Sequence, residues 1–296
     1  MNPDPSTQPV LFGEVLFDCF DDGSRILGGA PFNVAWHLQG FGLRPILISR
    51  VGDDPLGHQI RRRMIDWGMS SAGLQLDSRY PTGEVQVRIQ NGQPSYDIVS
   101  DRAWDHIEAR ALPPLRPGLL YHGSLGLRSD DSAACFARLS QDCPVPRYFD
   151  VNLRSPWWQA EQVLQLIGQA HWLKINDEEL NSLVSQGADL EQKASALLQD
   201  NGLRWIIVTQ GAAGAFALDA EGHFSQVRPE ADIQVVDTVG AGDAFAAVSL
   251  LGLTRHWPAE LILQRAQQFA SLIVGQRGAT AADPQLYSCL HKTWEL

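Results

Sequence analysis

Apolar residues along this chain gather into short unbroken runs, and between the runs they recur every three to four residues. The unbroken runs at 9–12, 46–49, 119–122, 148–151, 172–175 and 205–209 predict strands. The periodic stretches at 31–39, 55–67, 131–140, 158–169, 190–199, 241–253 and 258–275 predict helices. A strand that is apolar at every position needs cover on both faces. Such strands, separated by helices, predict an α/β chain with a mostly parallel sheet between two helical layers.

Two stretches break this rhythm. Glu84-Val85-Gln86-Val87-Arg88-Ile89 alternates strictly, and Asn91-Gly92 follows with a type I′ turn signal. A second alternating patch, 16–26, carries Asp21-Asp22-Gly23 as its turn. These are hairpins with one wet face, and they predict a small sheet inserted as segments about 14–30 and 80–105. The row Val85, Val87 and Ile89 must then cover either the cleft of its own chain or the same sheet of a second chain, because an isolated hairpin is marginal in water. There is no internal repeat and no low-complexity linker, so residues 1–296 read as a single domain carrying this insert.

Composition narrows the picture. A chain of 296 residues with 44% apolar and 19% charged positions suits one large globular domain with an accessory piece. The longest apolar stretch, 244–253, is interrupted by Ser249 and falls far short of a membrane span. The opening MNPDPSTQPV has neither basic region nor apolar signal core, so the expected location is cytoplasmic, with no membrane partner. The cysteines show no CxxC pairing and the histidines no HExxH spacing, which argues against a structural zinc site. The net charge is −11, and the one basic triplet, Arg61-Arg62-Arg63, sits on a predicted helix; no nucleic-acid partner is expected. An acidic protein that binds an anionic ligand needs local devices: helix N-termini, backbone N–H groups and a metal ion.

One segment has that form. A short strand is expected over 234–236, then the turn Asp237-Thr238-Val239-Gly240-Ala241-Gly242-Asp243, then a helix of small residues. The glycines allow close backbone approach, and the helix start offers unpaired N–H groups at the positive end of its dipole. Asp243 lies at the lip, where an attacking hydroxyl can give up its proton. The bare pattern is shared with ordinary glycine-rich turns. A dinucleotide fingerprint needs glycine or alanine where Phe245 stands. A P-loop needs Gly-Lys, and none of Lys174, Lys193 and Lys292 follows a glycine.

Residues 237–243 match the DTxGAGD signature of PfkB-type (ribokinase-like) carbohydrate kinases, and Gly28-Gly29-Ala30-Pro31-Phe32-Asn33-Val34-Ala35 resembles the GGAPxNVA run of fructokinase-like members. In the expected order come Gly13-Glu14-Val15-Leu16-Phe17-Asp18, Arg50-Val51-Gly52-Asp53, Asp150-Val151-Asn152-Leu153-Arg154 (DxNxR), Asn176-Asp177-Glu178-Glu179 (NxxE) and Thr209-Gln210-Gly211 to Gly214 (TxGxxG). The resemblance spans roughly 10–284. It implies a ribokinase-like three-layer α/β/α fold with a β-sheet lid, and transfer of the γ-phosphate of ATP to a sugar hydroxyl. It implies Asp243 as the base, with Gly240, Ala241 and Gly242 cradling the phosphate. Asn176 and Glu179 would organise Mg²⁺ through waters, although the same run also reads as a plain N-cap with an acidic first turn. Asn176, Thr209, Gly211, Gly214, Gln267 and Gly278 would serve the nucleotide. Asp237 matches the residue that holds potassium in some relatives, though the partner hydroxyl falls at Val239 here. Asp18, Gly29 and Asn33 match sugar-binding positions. By position at strand ends, Arg154 and His122 could reach the same cleft, though Arg154 also reads as a surface arginine and His122 equally as a packed, half-buried histidine; Tyr96 and Trp104 either face the sugar from the lid or only pack there. Family members often pair their lids into a homodimer. The GGAPFN and DVNLR runs lean toward fructose as substrate, with 2-keto-3-deoxygluconate, ribose or a nucleoside as alternatives and a catalytically silent sugar sensor as the reading of a different class.

Overall fold

Val10 and Phe12 enter one apolar core, and Leu11 between them enters another. Leu47 and Ile48, Leu119 and Leu120, Trp172 and Leu173, Ile206 and Ile207 divide in the same way. These strands are apolar throughout because each face meets its own helical layer. The structure, a computed structural model, describes residues 8–90, 93–229 and 234–296.

The first third of the chain runs β1 (Gln8–Phe12), β2 (Leu16–Phe20), β3 (Arg25–Gly28), α1 (Ala30–Gly40), β4 (Ile46–Gly52), α2 (Pro55–Asp66), β5 (Leu74–Asp77), β6 (Gly83–Gln90) and β7 (Gln93–Ile98). Then come β8 (Pro117–Gly123), α3 (Asp130–Asp142), β9 (Arg147–Asp150), α4 (Ala160–Ile167), β10 (Trp172–Asn176), α5 (Asp177–Leu183) and α6 (Leu190–Asp200). The chain finishes with β11 (Trp205–Thr209), β12 (Ala215–Asp219), β13 (Phe224–Val227), α7 (Ala241–Thr254), α8 (Ala259–Val274) and α9 (Pro284–Trp294).

The main sheet has the order β13-β12-β11-β10-β9-β8-β1-β4-β5. It is parallel from β11 to β5, and the hairpin strands β12 and β13 run antiparallel at one edge. Helices α1, α7, α8 and α9 cover one face through Phe32, Phe245, Phe269 and Tyr287. Helices α3, α4 and α6 cover the other through Phe136, Val163 and Leu197. No helix among the described residues is long and apolar enough to cross a membrane.

The second sheet, β3-β2-β6-β7, is built from the two predicted hairpins. Each hairpin is antiparallel, and β2 joins β6 in parallel. The Asn91-Gly92 turn lies outside the described residues. Val85 and Val87 are 5% and 3% exposed, packed with Leu16, Ile98, Trp104 and Leu125 of the same chain. Val85 and Val87 therefore need no second chain to cover them, which removes their part of the burial argument for a lid-to-lid dimer; the Ile89 side chain lies outside the described residues. Trp104 is fully buried under the Arg128 guanidinium, 4.1 Å from its ring, and packs the lid instead of facing the cleft.

The strand expected at 234–236 does not form. The N–H groups of Val236 and Asp237 both donate to the carbonyl of Val274 at the end of α8, so this segment is tied to a helix and not to a sheet.

Candidate active site

The carboxyl ends of β9, β10 and β11 deliver Asp150, Asn176 and Thr209 to one crevice, where a parallel sheet leaves loops free to build a site. Two cavities occupy it, of about 510 and 550 Å³. Thr209, Thr238 and Gly242 line both, so the two spaces meet at the glycine-rich turn.

That turn is shaped by backbone. Gly240 has φ 83°, and a Cβ there would stand 2.4 Å from Ala279, so only glycine fits. Helix α7 starts directly after it with Ala241 and Gly242, and Asp243 lies in its first turn. Asp237 accepts from the N–H of Val239 and of Gly278, both at 3.0 Å, and clasps the turn to the segment before α9. Asp237 thus has a structural role without a cation. Gly278, expected at the nucleotide, gives its N–H to this bond and is not among the residues lining the larger cavity.

Asp243 is half-buried at the floor of the smaller cavity. Asn33 on α1 donates to its Oδ2 at 2.8 Å. Burial pushes the Asp243 carboxyl up to about 6, and the Asn33 hydrogen bond pulls against it; the neighbouring Asp150 charge raises it, while Lys174 and Arg154 lower it. A carboxylate with that value, open to a cavity, is suited to taking a proton near neutral pH.

The same cavity is lined by Asp18, Gly29, Tyr96 and Arg154. Burial pushes Asp18 up to about 6, opposed by the Arg154 charge. Gly29 has φ 107°, and a Cβ on it would come within 2.6 Å of the Glu14 carbonyl oxygen. His122 is not in this group. It is 2% exposed, stacks on Phe149 with ring centroids 4.7 Å apart, and donates from Nδ1 to the Gly123 carbonyl. It lies beside Phe136 on the buried face of the sheet, and burial holds it neutral, with a pKa pushed down to about 4. The strand-end position is right, but the side chain leaves on the opposite face.

Asn176 and Glu179 form a capping box for α5. Asn176 Oδ1 accepts from the Glu179 N–H at 2.8 Å, and Glu179 Oε2 accepts from the Asn176 N–H at 3.0 Å. Glu179 Oε1 takes the Leu153 N–H at 2.8 Å. Both residues also line the cavity. With these oxygens already receiving backbone donors, the pair fits a hydrated cation held through waters, not one coordinated directly.

The larger cavity is lined by Thr209, Gly211, Gly214 and Gln267, with Phe245, Val235 and Val274 as apolar surface, and among the described residues no charged side chain lines it. A flat, weakly polar ring system suits such walls.

Three cavity residues escaped the sequence reading. Glu14 is 2% exposed and accepts from the Ala30 N–H at 3.3 Å, and burial pushes it up to about 7. Its Oε2 has no hydrogen-bond partner among the described residues. Lys174 holds both oxygens of Asp150, at 2.8 and 3.0 Å, with both residues buried. The available signal was a lysine inside the apolar strand Trp172-Leu173-Lys174-Ile175.

The profile of the pfkB family carbohydrate kinases matches residues 20–286. The chain belongs to this family. Among its curated relatives, this kinase is 32% identical over 295 residues to a fructokinase of Klebsiella pneumoniae, covering 93% of this chain and 95% of that protein. It is also 32% identical over 273 residues to the aminoimidazole riboside kinase of Salmonella typhimurium, covering 87% and 84%. A fructokinase of Vibrio cholerae, solved with fructose, ADP and calcium ion, superposes with a TM-score of 0.82 at 25% identity, over 96% of this chain and 99% of that one. The Salmonella enterica aminoimidazole riboside kinase, complexed with aminoimidazole riboside and an ATP analogue, gives 0.80 at 28% identity, over 95% and 99%. The ribokinase-like fold and the sugar-kinase activity expected from the motifs follow from these matches.

Proposed function

We propose that this kinase transfers the γ-phosphate of ATP to a hydroxyl of a neutral sugar, fructose first among the candidates. The observation that carries this reading is the charge of the smaller cavity. Among the described residues, Glu14, Asp18, Asp150, Glu179 and Asp243 line it, against Lys174 and Arg154. Carboxylates accept hydrogen bonds from sugar hydroxyls and repel another carboxylate. That disfavours 2-keto-3-deoxygluconate, whose carboxylate Arg154 alone would have to offset. Fructose is supported by the fructokinase relatives and by the fructose named in the Vibrio structure.

The sugar would lie against Asp18, Gly29 and Asn33, with its acceptor hydroxyl at Asp243. The nucleotide would lie along Thr209, Gly211, Gly214 and Gln267, its terminal phosphate at the N–H groups of Gly240, Ala241 and Gly242. Asp243 takes the hydroxyl proton as the sugar oxygen bonds to phosphorus. Magnesium, organised through waters by Asn176 and Glu179, supplies charge neutralisation when bound.

Aminoimidazole riboside is a second reading. It is favoured by an equal identity to the Salmonella enzyme, and this uncharged riboside suits the same acidic walls. The test is a panel of fructose, ribose, aminoimidazole riboside and 2-keto-3-deoxygluconate with a coupled ADP readout. The proposal expects the highest kcat/KM with fructose and the lowest with the sugar acid. A sugar acid phosphorylated best would overturn the neutral-sugar reading.

A further inference from the structure

Lys174 stands where the transfer would happen. It is 6% exposed on β10, and its register partner on β9 is Asp150, which binds it through both oxygens. An ammonium group has three donors, and Asp150 takes two. The Lys174 Nζ lies 3.5 Å from the position a Cβ on Gly242 would occupy. Gly242 is one of the residues lining both cavities, so the ammonium sits under their junction. Among the described residues no charged side chain lines the larger cavity, and the glycine-rich turn offers only neutral N–H groups. Among the described residues the smaller cavity has one other cation, Arg154, exposed and donating to the Leu153 carbonyl. Lys174 is thus a buried cation beside the glycine-rich turn.

We propose that Lys174 is a catalytic residue, its ammonium group binding an oxygen of the phosphoryl group as it crosses Gly242, with Asp150 fixing the ammonium in place. This rests on the kinase reading of the site. In the step, the sugar oxygen bonds to the γ-phosphorus, and the bond from phosphorus to the bridging oxygen breaks with its electrons leaving on ADP. The hydroxyl proton goes to Asp243, and Lys174 keeps all its protons throughout. The fold thereby places a lysine at the transferring group without a P-loop: the cation comes from a neighbouring strand and passes beneath the turn. A preorganised charge in a water-poor site acts most strongly on the transition state, where charge is redistributed over the phosphoryl oxygens. Its loss should therefore lower kcat and leave both KM values nearly unchanged.

Lys174→Met alone would leave a buried, unpaired Asp150 and risks misfolding. The comparison is therefore made in an Asp150→Asn background, whose two members differ only in the cation. Asp150→Asn should retain measurable turnover. The folded double variant Asp150→Asn/Lys174→Met should lose a further ~10²–10³-fold in kcat, the usual scale for one transition-state donor, with KM for sugar and ATP within about threefold. A double variant whose kcat stays within threefold of Asp150→Asn overturns the proposal. So does one in which sugar KM rises while kcat holds, which would make Lys174 a sugar ligand. Failure of the underlying kinase reading is separate: it would show as wild-type protein inactive on every sugar in the panel.

Discussion

Asp243 is held by a partner from the far end of the sequence, Asn33. Asp243→Asn should leave the KM values for both substrates nearly unchanged and lower kcat by ~10²–10⁴-fold, the range for a general base. Steady-state kinetics check it, and turnover above a third of wild type would exclude the base role. Asn33 matches a sugar-binding position by motif, and its bond to Asp243 adds an effect on the carboxyl group. The base works deprotonated, so kcat should rise with pH through about 6 and then level off. Asn33 lowers the Asp243 pKa, whereas burial and Asp150 raise it. Asn33→Ala should therefore move the acid limb to higher pH as well as raise sugar KM, the latter by the loss of roughly 1–3 kcal/mol of hydrogen bonding. An unmoved limb in the kcat–pH profile would disconnect the two residues. At this scale the glycine-rich turn and Asp243 were legible because their motif is contiguous. The Asn33–Asp243 bond and the Lys174–Asp150 pair were not, since each needs two elements brought together.

Among elements, the lid shows most clearly what a pattern can and cannot say. Alternation placed Val85 and Val87 on one face, but it could not say what covers that face. Packing answers with Leu16, Ile98, Trp104 and Leu125. Val87→Asp would put a charge with no partner into this cluster, at a cost of several kcal/mol. The expected outcome is a lower melting temperature together with a raised sugar KM, since Val85 and Ile98 of the same sheet line the cavity. Wild-type values for both would mean that the lid does not shape the sugar side. Some elements escaped the pattern for local reasons. β5 is only four residues, Leu-Gln-Leu-Asp. β12, Ala-Phe-Ala-Leu-Asp, mixes in good helix formers and becomes a strand by pairing with β11 and β13. α5 has seven residues and rests on its capping box.

Across the whole molecule, the acidic cavity should leave a mark on stability. Burial raises Glu14 to about 7, Asp18 to about 6 and Asp243 to about 6, from ordinary values of 4.5, 3.8 and 3.8. Between the ordinary and raised values the folded protein binds more protons than the unfolded chain. Stability from these groups is then fully present at the acid end of that window and falls as pH rises through about 7. The carboxylates of Asp54, Asp77 and Glu108 are shifted downward, so their stabilising effect is lost only on strong acidification, at lower pH than this window. Glu14→Gln keeps an acceptor for the Ala30 N–H and removes the charge. It should raise the melting temperature at pH 8 and flatten the decline between pH 5 and 8, the full effect being about 3 kcal/mol at ~1.4 kcal/mol per pKa unit. Thermal unfolding across that range checks it, and a melting temperature at pH 8 lowered by the substitution would contradict the argument.

The chain alone determined the layered α/β plan, because a strand apolar at every position has no stable place except between two covering layers. It also determined the family and the glycine-rich turn, because Gly240, Ala241, Gly242 and Asp243 are neighbours in sequence and the shape of the turn depends on local backbone. Tertiary structure decided the rest. It turned His122 into the buried face against Phe149 and gave Gly278 to Asp237. It buried Glu14 at the crossing from main sheet to lid and set Lys174 beneath Gly242. The reason is physical: a side chain's direction at a strand end, and the charge it meets there, depend on which distant strands and helices lie beside it, and no local period or motif carries that information.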